Sequence, residues 1–279
     1  MSRSSAALLF TAAACVVTIM ASGVPMSAQA PRALAPHAAR GVVFDDRNAN
    51  GTRERGEPGL AGVVVSNQDE VVRTDSLGNY ALGASGTGAV FVSIPRGFRA
   101  VGGFWRRADT PLSVDFPLAR QPEPARFRFA LASDTHLSPA SVERTRRLRT
   151  IVDSVAPELA LVTGDLVRDA LRVGEKEATG YYDLVRTEFE AFRTPLFTVP
   201  GNHEIFGIER TLSQVDPAHP LFGRAMYRAY RGPDYYSFNA GGVHFVGLNT
   251  VDIDDQRYSG HVDSLQLAWL ARDLALVPA

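Results

Sequence analysis

Residues 127–136 read FRFALASDTH, an apolar run that ends in polar residues, and this pattern decides the fold class. It returns at residues 159–165, LALVTGD, and at residues 196–204, LFTVPGNHE. Short apolar runs bounded by turn residues predict strands at the start of each stretch. Residues 142–155 and 181–192 carry apolar side chains at helical spacing. The first of these helices has one apolar stripe, which consists of Val142, Leu148, Ile151, Val152 and Val155. Strands that alternate with helices predict an α/β fold with a mostly parallel sheet.

Each of the three predicted strands is followed by side chains that can bind a metal ion. In chain order these side chains are Asp134, His136, Asp165 and Asn202, and His203 follows the last of them directly. In open α/β sheets the ligand crevice lies outside the carboxyl ends of the strands, so we expect the five to converge there. Carboxylate, amide and imidazole groups together suit Mn, Fe or Zn. For any one motif taken alone, the alternative is an aspartate that caps the following helix.

The region before these strands has a different pattern. Short β runs alternate there with Gly and turn residues, and no stretch carries a helical period over three turns. This predicts a small all-β sandwich over residues 41–119. Pro-rich and Ala-rich stretches predict linkers at residues 31–40 and 120–124. The α/β domain is therefore predicted to span residues 126–279.

Residues 1–30 have the pattern of an export signal peptide. Arg3 supplies a positive start, residues 6–20 form an apolar stretch, and residues 28–30, AQA, offer a cleavage pattern of small residues. We expect the mature chain to be periplasmic, on the cell surface or secreted. An uncleaved membrane anchor is the alternative. A lipoprotein site at Cys15 is less favoured because the apolar run continues past it.

The composition excludes several classes of protein. The 279 residues are 45% apolar and 21% charged, which is ordinary for a globular protein. The formal net charge is −1, so no basic surface indicates a nucleic-acid partner, or a membrane partner beyond the export segment. Cys15 is the single cysteine, which excludes a disulfide scaffold and a zinc site built from cysteines. Neither a Gly-x-Ser-x-Gly nucleophile elbow nor a Walker-type loop occurs in the sequence.

The three motifs closely resemble those of the calcineurin-like metallophosphoesterases. They are DTH at residues 134–136, GD at residues 164–165 and GNHE at residues 201–204, in this order and each after an apolar run. The resemblance covers residues 126–279. It implies a β-sandwich phosphoesterase core with covering helices, and it implies hydrolysis of a phosphomonoester or phosphodiester substrate by metal-activated water.

The resemblance also implies a role for each residue of the site. Asp134 and His136 would bind the first of two divalent or trivalent metal ions. Asp165 would bridge the two ions, and Asn202 would bind the second. His203 would lie beside the scissile group and stabilise or protonate the leaving oxygen. A site with two metal ions lowers the pKa of a bound water and clamps the phosphoryl oxygens, so the reaction needs no protein nucleophile.

The sequence departs from the family pattern in its last part. The family requires further histidines downstream of the helix at residues 266–274, and we expect the domain to lack its C-terminal part here. His219, His244 and His261 are not expected to replace those ligands, and His244 is predicted to be structural. The alternative function is a non-enzymatic extracellular binding protein, with a β module that does the recognition and a catalytically incomplete phosphoesterase domain.

A second candidate cation site lies in the predicted β module. Asp46, Asn48, Asn50 and Glu57 have the spacing of oxygen ligands in a calcium-binding loop. The flanking β runs disfavour an EF-hand. The segment resembles instead the loops of SdrD B-like surface modules and the N-terminal β domain attached to some metallophosphoesterases. A plain turn with solvated carboxylates is the alternative to a calcium site.

Overall fold

The computed structural model describes residues 31–109 and 113–277. The predicted export segment, with Cys15, lies outside the described residues. None of the helices that the described residues form combines the length and the apolar character needed to cross a membrane.

The described residues of the N-terminal part form eight strands in two four-stranded sheets. The strands are β1 (Ala39–Asp45), β2 (Val64–Ser66), β3 (Val71–Arg73), β4 (Asn79–Leu82), β5 (Ala89–Val92), β6 (Phe98–Ala100), β7 (Trp105–Arg107) and β8 (Phe116–Arg120). One sheet has the order β4-β1-β8-β6 and the other has the order β3-β2-β5-β7. Neighbouring strands are antiparallel except β1 and β8, which are parallel. The prediction of an N-terminal all-β region is confirmed.

The two sheets bury their facing side chains in one core. In β4 the exposed residues alternate with Tyr80 and Leu82, which are buried, as expected for a strand with one face on the core. Phe116 of the first sheet and Val65 and Phe91 of the second are fully buried in the same apolar cluster. Burial of these side chains removes apolar surface from water and stabilises the sandwich.

The second part of the chain is an α/β arrangement. Its elements are β9 (Phe129–Ala132), α1 (Val142–Val155), β10 (Leu159–Thr163), α2 (Glu175–Glu190), β11 (Leu196–Val199), α3 (Arg210–Ser213), α4 (Arg224–Arg231), β12 (Tyr236–Ala240), β13 (Val243–Gly247), β14 (Val251–Asp254), β15 (Arg257–Gly260) and α5 (Ser264–Leu274). A parallel sheet has the order β11-β10-β9, and β12-β13 and β14-β15 are antiparallel pairs. The predicted α/β fold is confirmed.

The predicted apolar stripe of α1 is only partly buried. Val152 is buried, whereas Ile151 and Val155 expose half of their surface. Phe129 and Leu131 of β9 are also exposed, Leu131 by 65%. β9 is the outermost described strand of its sheet, and Phe129 stays half exposed although its ring packs edge to face on that of Phe245 in β13. The sequence therefore predicts the apolar stripe, but not how much of it is buried.

The sandwich and the α/β part share one apolar core. The ring centroid of Phe91 in β5 lies 6.4 Å from that of Tyr236 in β12 and 6.2 Å from that of Trp269 in α5. The Trp269 indole also donates a hydrogen bond to the hydroxyl of Ser66 in β2. Aromatic rings in edge-to-face contact stabilise a core beyond their buried area. The two parts are therefore packed against each other through buried side chains.

Candidate metal centre

The loops after β9, β10 and β11 meet at one edge of the parallel sheet, because parallel strands end on the same side. Backbone hydrogen bonds join the first two loops. The Asp134 amide donates to the carbonyl of Gly164, and the His136 amide donates to the carbonyl of Asp165. The third loop is joined to the second by the His203 amide, which donates to Asp165 Oδ1 at 3.1 Å. The structure thus brings the predicted site residues together.

Three of these residues have an unusual backbone. Asp134, His136 and Asp165 have φ values of 55°, 41° and 50°, in the left-handed region that non-glycine residues rarely adopt. Such conformations cost about 1–3 kcal/mol each and are concentrated at functional sites. This backbone sets the direction in which each side chain leaves the loop.

Two glycines let the second and third loops approach closely. A Cβ atom built on Gly201 would lie 2.2 Å from Asp165 Oδ1, and one on Gly164 would lie 2.8 Å from the Cα of Gly201. Gly164 also has a φ of 86°. Only glycine fits both positions, because any side chain would push the loops apart.

The polar atoms at this edge are spaced as ligands of a shared ion. His136 Nε2 lies 3.7 Å from Asp134 Oδ1 and 3.8 Å from Asp165 Oδ2, distances too long for hydrogen bonds. His136 Nδ1 is buried without a partner. Within residues 31–109 and 113–277, one group of His, Cys, Asp or Glu residues has ligand atoms that all lie within 4.8 Å of one another, and it consists of His136, Asp165 and His203. This donor set fits a metal ion.

The other two predicted ligands lie beside this group. Asp134 and Asn202 line a cavity of about 480 Å³ together with Asp165. The Asp134 carboxylate is well exposed. The sequence predicted His203 as catalytic and not as a ligand. In the structure, one of its ring nitrogens lies within 4.8 Å of ligand atoms of both His136 and Asp165. The imidazole rings of His136 and His203 are 4.5 Å apart, edge to face.

The orientation of the His203 ring is fixed by a backbone group. His203 Nδ1 lies 2.7 Å from the carbonyl oxygen of Arg168. A carbonyl only accepts hydrogen bonds, so Nδ1 carries the proton and donates it. The lone pair of the neutral ring is therefore on Nε2. Sequence reasoning missed this contact, because a backbone carbonyl has no signature in the sequence.

Glu204 lies beneath the site and is 1% exposed. Burial raises the pKa of its carboxyl group to about 7, and the amide groups of Val167 and Gly201 oppose that shift by donating hydrogen bonds to it. The negative charge of Asp165 adds to the rise. From the sequence, Glu204 is expected at most to support the neighbouring ligands, and its contacts were not predicted.

The downstream histidines are bound elsewhere. His219, His244 and His261 belong to no candidate metal group of the described residues. Their hydrogen-bond partners include, in chain order, Leu221, Asp273 and Asp252. His244 lies in β13 and bonds the buried Asp273 at 2.8 Å, in agreement with its predicted structural role.

The candidate calcium loop is closed by hydrogen bonds of its own. Asp46 is buried, and its two carboxylate oxygens accept from the amides of Asn50 and Gly51. Glu57 is also buried and accepts from the amides of Arg47 and Glu54. Asn48 and Asn50 donate through their side chains to the carboxylate of Glu54. These contacts agree with either alternative, so calcium binding stays a prediction.

The carboxylate, imidazole and amide groups at the carboxyl edge of the parallel sheet define an α/β protein with a candidate metal site. The family model for calcineurin-like phosphoesterase matches residues 127–276, and the chain belongs to this family. The model for the N terminal of calcineurin-like phosphoesterase matches residues 47–111. The resemblance that the motifs indicate is thereby confirmed for both parts of the chain. A search of curated proteins found no match.

Proposed function

We propose that the protein is a metal-dependent phosphoesterase that hydrolyses a phosphomonoester or a phosphodiester. The observation that supports this most directly is the convergence of the predicted site residues at one edge of the sheet. Three side chains there offer ligand atoms within 4.8 Å of one another, and Asn202 lines the adjoining cavity.

Each residue has a proposed part in the reaction. Asp134 and His136 would hold one ion, Asp165 would hold both ions, and Asn202 would hold the second. Bound ions of this kind supply a water of lowered pKa and offset the charge on the phosphoryl oxygens. With both ring nitrogens protonated, His203 would donate a hydrogen bond or a proton to the leaving oxygen through Nε2, because its Nδ1–H is bound to the Arg168 carbonyl.

The test is hydrolysis of p-nitrophenyl phosphate and bis-p-nitrophenyl phosphate with added Mn²⁺. We expect Asp165→Asn to lower kcat/KM roughly 100-fold or more, because this carboxylate would serve both ions. Asp183→Asn is the matched control, since Asp183 lies on α2 and pairs with Arg186 at the surface. Equal activity of Asp165→Asn and the wild type would refute the bridging role. Metal binding without turnover of either ester would favour a non-enzymatic binding protein.

We further propose that residues 1–30 direct export and are then removed. The pattern of a charged start, an apolar stretch and small residues supports this. When the full chain is expressed with its own leader, we expect the protein outside the cytoplasm, with an N-terminus near residue 31. A cytoplasmic protein that retains residue 1 would contradict the proposal.

We also propose that the loop of residues 46–57 binds Ca²⁺. The support is the spacing of its oxygen ligands and the burial of Asp46 and Glu57. Addition of Ca²⁺ to chelator-treated protein should raise Tm, because a ligand that binds only the folded state stabilises it. Asp46→Asn should abolish this rise. An unchanged Tm in the wild type would leave the plain turn as the correct interpretation.

A further inference from the structure

We propose that Glu204 is a positioning residue, whose carboxylate sets the spacing between the loop of Asp165 and the loop of Asn202. The inference rests on the proposed function for the presence of metal at this edge. It concerns a side chain that would touch neither metal nor substrate and would act through the residues that do.

One oxygen of Glu204 joins the two loops directly. Oε2 accepts from the Asp165 amide at 2.9 Å and from the Gly201 amide at 2.7 Å. The first of these amides belongs to the proposed bridging ligand, and the second immediately precedes Asn202. This acceptor atom therefore helps to set the separation of the two loops, together with the bond from the His203 amide to Asp165 Oδ1.

The second oxygen fixes the direction of the first. Oε1 accepts from the amides of Leu166 at 2.7 Å and Val167 at 3.0 Å. The backbone carbonyl of Glu204 in turn accepts from the buried hydroxyl of Tyr182 in α2 at 2.7 Å. The residue is thus held at both its backbone and its carboxylate, so it cannot shift without breaking several bonds.

These contacts require a carboxylate. Among the described residues, no Lys, Arg or His forms an ion pair with Glu204. The negative charge of its buried carboxylate is instead balanced by four backbone amides that donate hydrogen bonds to it. A glutamine has one acceptor oxygen, and its NH₂ group would face two backbone donors whichever way the amide is turned. Substitution by glutamine therefore leaves two buried donors without an acceptor, although the size of the side chain is kept.

The position of the contacts links them to metal affinity. Asp165 holds a left-handed backbone, and Gly201 lies against it too closely for any side chain. The bonds from Glu204 compensate for this strain and hold the ligands near the separation that a shared ion needs. Without the hydrogen bonds to Glu204, the two loops would relax. Metal binding would then have to bring Asp165 and Asn202 back to their positions, which lowers the affinity.

The experiment compares Glu204→Gln with Glu188→Gln as a matched control. Glu188 is also buried, at 4% exposure, but it pairs with Arg146 and Arg149 on α1 and touches no loop of the metal edge. Both variants lose a buried carboxylate. Calorimetric titration with Mn²⁺ measures metal affinity, urea unfolding measures stability, and amide exchange of Asp165 and Gly201 in metal-free protein measures loop order.

We expect Glu204→Gln to weaken Mn²⁺ binding about 10–100-fold and to speed exchange of both amides, with activity rising again at high Mn²⁺. Glu188→Gln should lose stability and keep its Mn²⁺ affinity. If Glu204→Gln does not fold, Glu204→Asp keeps the charge on a shorter side chain and should bind Mn²⁺ more weakly than the wild type.

Two failures can be told apart. If the folded Glu204 variants bind Mn²⁺ as tightly as the wild type, the positioning role is overturned and the proposed phosphoesterase stands. If the wild type binds no Mn²⁺ at all, the proposed function falls, and the positioning role falls with it.

Discussion

Asp134, His136 and Asp165 each hold a backbone conformation that is unfavourable for a residue with a side chain. The folded protein compensates for this strain with hydrogen bonds between the loops. Strain that is maintained in this way directs side chains to fixed positions before any ligand binds. At the scale of single residues, the site is therefore organised by backbone contacts as much as by the side chains that would bind metal.

Gly201→Ala should damage this arrangement. The new methyl group would lie 2.2 Å from Asp165 Oδ1, so the carboxylate must move, and we expect Mn²⁺ affinity to fall by about one order of magnitude or more. Gly180→Ala is the control, because that glycine is in α2 with no atom within 4 Å of the new Cβ. It should raise stability by about 0.5–1 kcal/mol. Calorimetric titration and urea unfolding measure both effects, and unaltered Mn²⁺ affinity in Gly201→Ala would contradict the expectation.

The identities of the site residues could be predicted from the sequence, because the motifs follow three recognisable strands. Other features of the site could not. His203 is oriented by the carbonyl of Arg168, and Glu204 is bound by four amides. Every residue except proline has an amide, so the type of residue says nothing about which amides will surround a side chain.

At the scale of elements, β10 and β11 coincide with the apolar runs that begin residues 159–165 and 196–204. Each is a short apolar run closed by Gly or Pro, so its end is defined locally. The burial of α1 could not be predicted in the same way. Periodicity shows that a helix has an apolar stripe, but burial of Ile151 and Val155 depends on what packs over them.

The junction between α4 and β12 should be sensitive to acid. Asp234 is buried and pairs with Arg228 through both carboxylate oxygens, at 3.0 and 2.9 Å. Burial raises the pKa of Asp234, but the Arg228 charge and its hydrogen bonds outweigh this, so the pKa lies below its usual range. The stabilisation is therefore complete above the unfolded pKa near 4 and is lost as pH falls through the folded value.

Asp234→Asn tests this ion pair. We expect a loss of about 3–5 kcal/mol in the free energy of unfolding at neutral pH, because Arg228 is left without its partner. The variant should also lose less stability than the wild type below pH about 4. Urea unfolding across this pH range is the measurement. Asp183→Asn is the control, because Asp183 pairs with Arg186 at the surface, and it should lower the free energy of unfolding by less than about 1 kcal/mol. An acid response of Asp234→Asn equal to that of the wild type would show that another group titrates.

At the scale of the whole molecule, the sandwich and the α/β part are joined by buried contacts. Phe91 packs on Tyr236 and Trp269, and the side chain of Gln68 bonds Asp234 and the carbonyl of Tyr235. The sequence predicted an all-β part and an α/β part with a linker between them, but it did not predict that the two parts pack on each other. Contacts between residues about 145–180 positions apart leave no local pattern.

Phe91→Ala should therefore destabilise both parts together. Removing this fully buried ring should lower the free energy of unfolding by about 3–5 kcal/mol, and calorimetry should show one transition at a lower temperature. Leu77→Ala, at a residue that is 68% exposed, should change stability by less than about 0.5 kcal/mol. Two separate transitions, with only one of them shifted, would contradict a shared core.

The buried contacts between the two parts limit which β modules could replace the N-terminal one. A cassette exchange, in which another β module replaces residues 41–119, would leave Trp269 and Tyr236 facing solvent or an ill-fitting surface. The replacement module would have to supply three groups at the contact. These are an aromatic ring in place of Phe91, a hydroxyl in place of Ser66 that accepts from the Trp269 indole, and a side-chain amide in place of Gln68. Exchange of the β module therefore requires redesign of the apolar core that the two parts share. Modules joined by flexible linkers alone do not have this requirement.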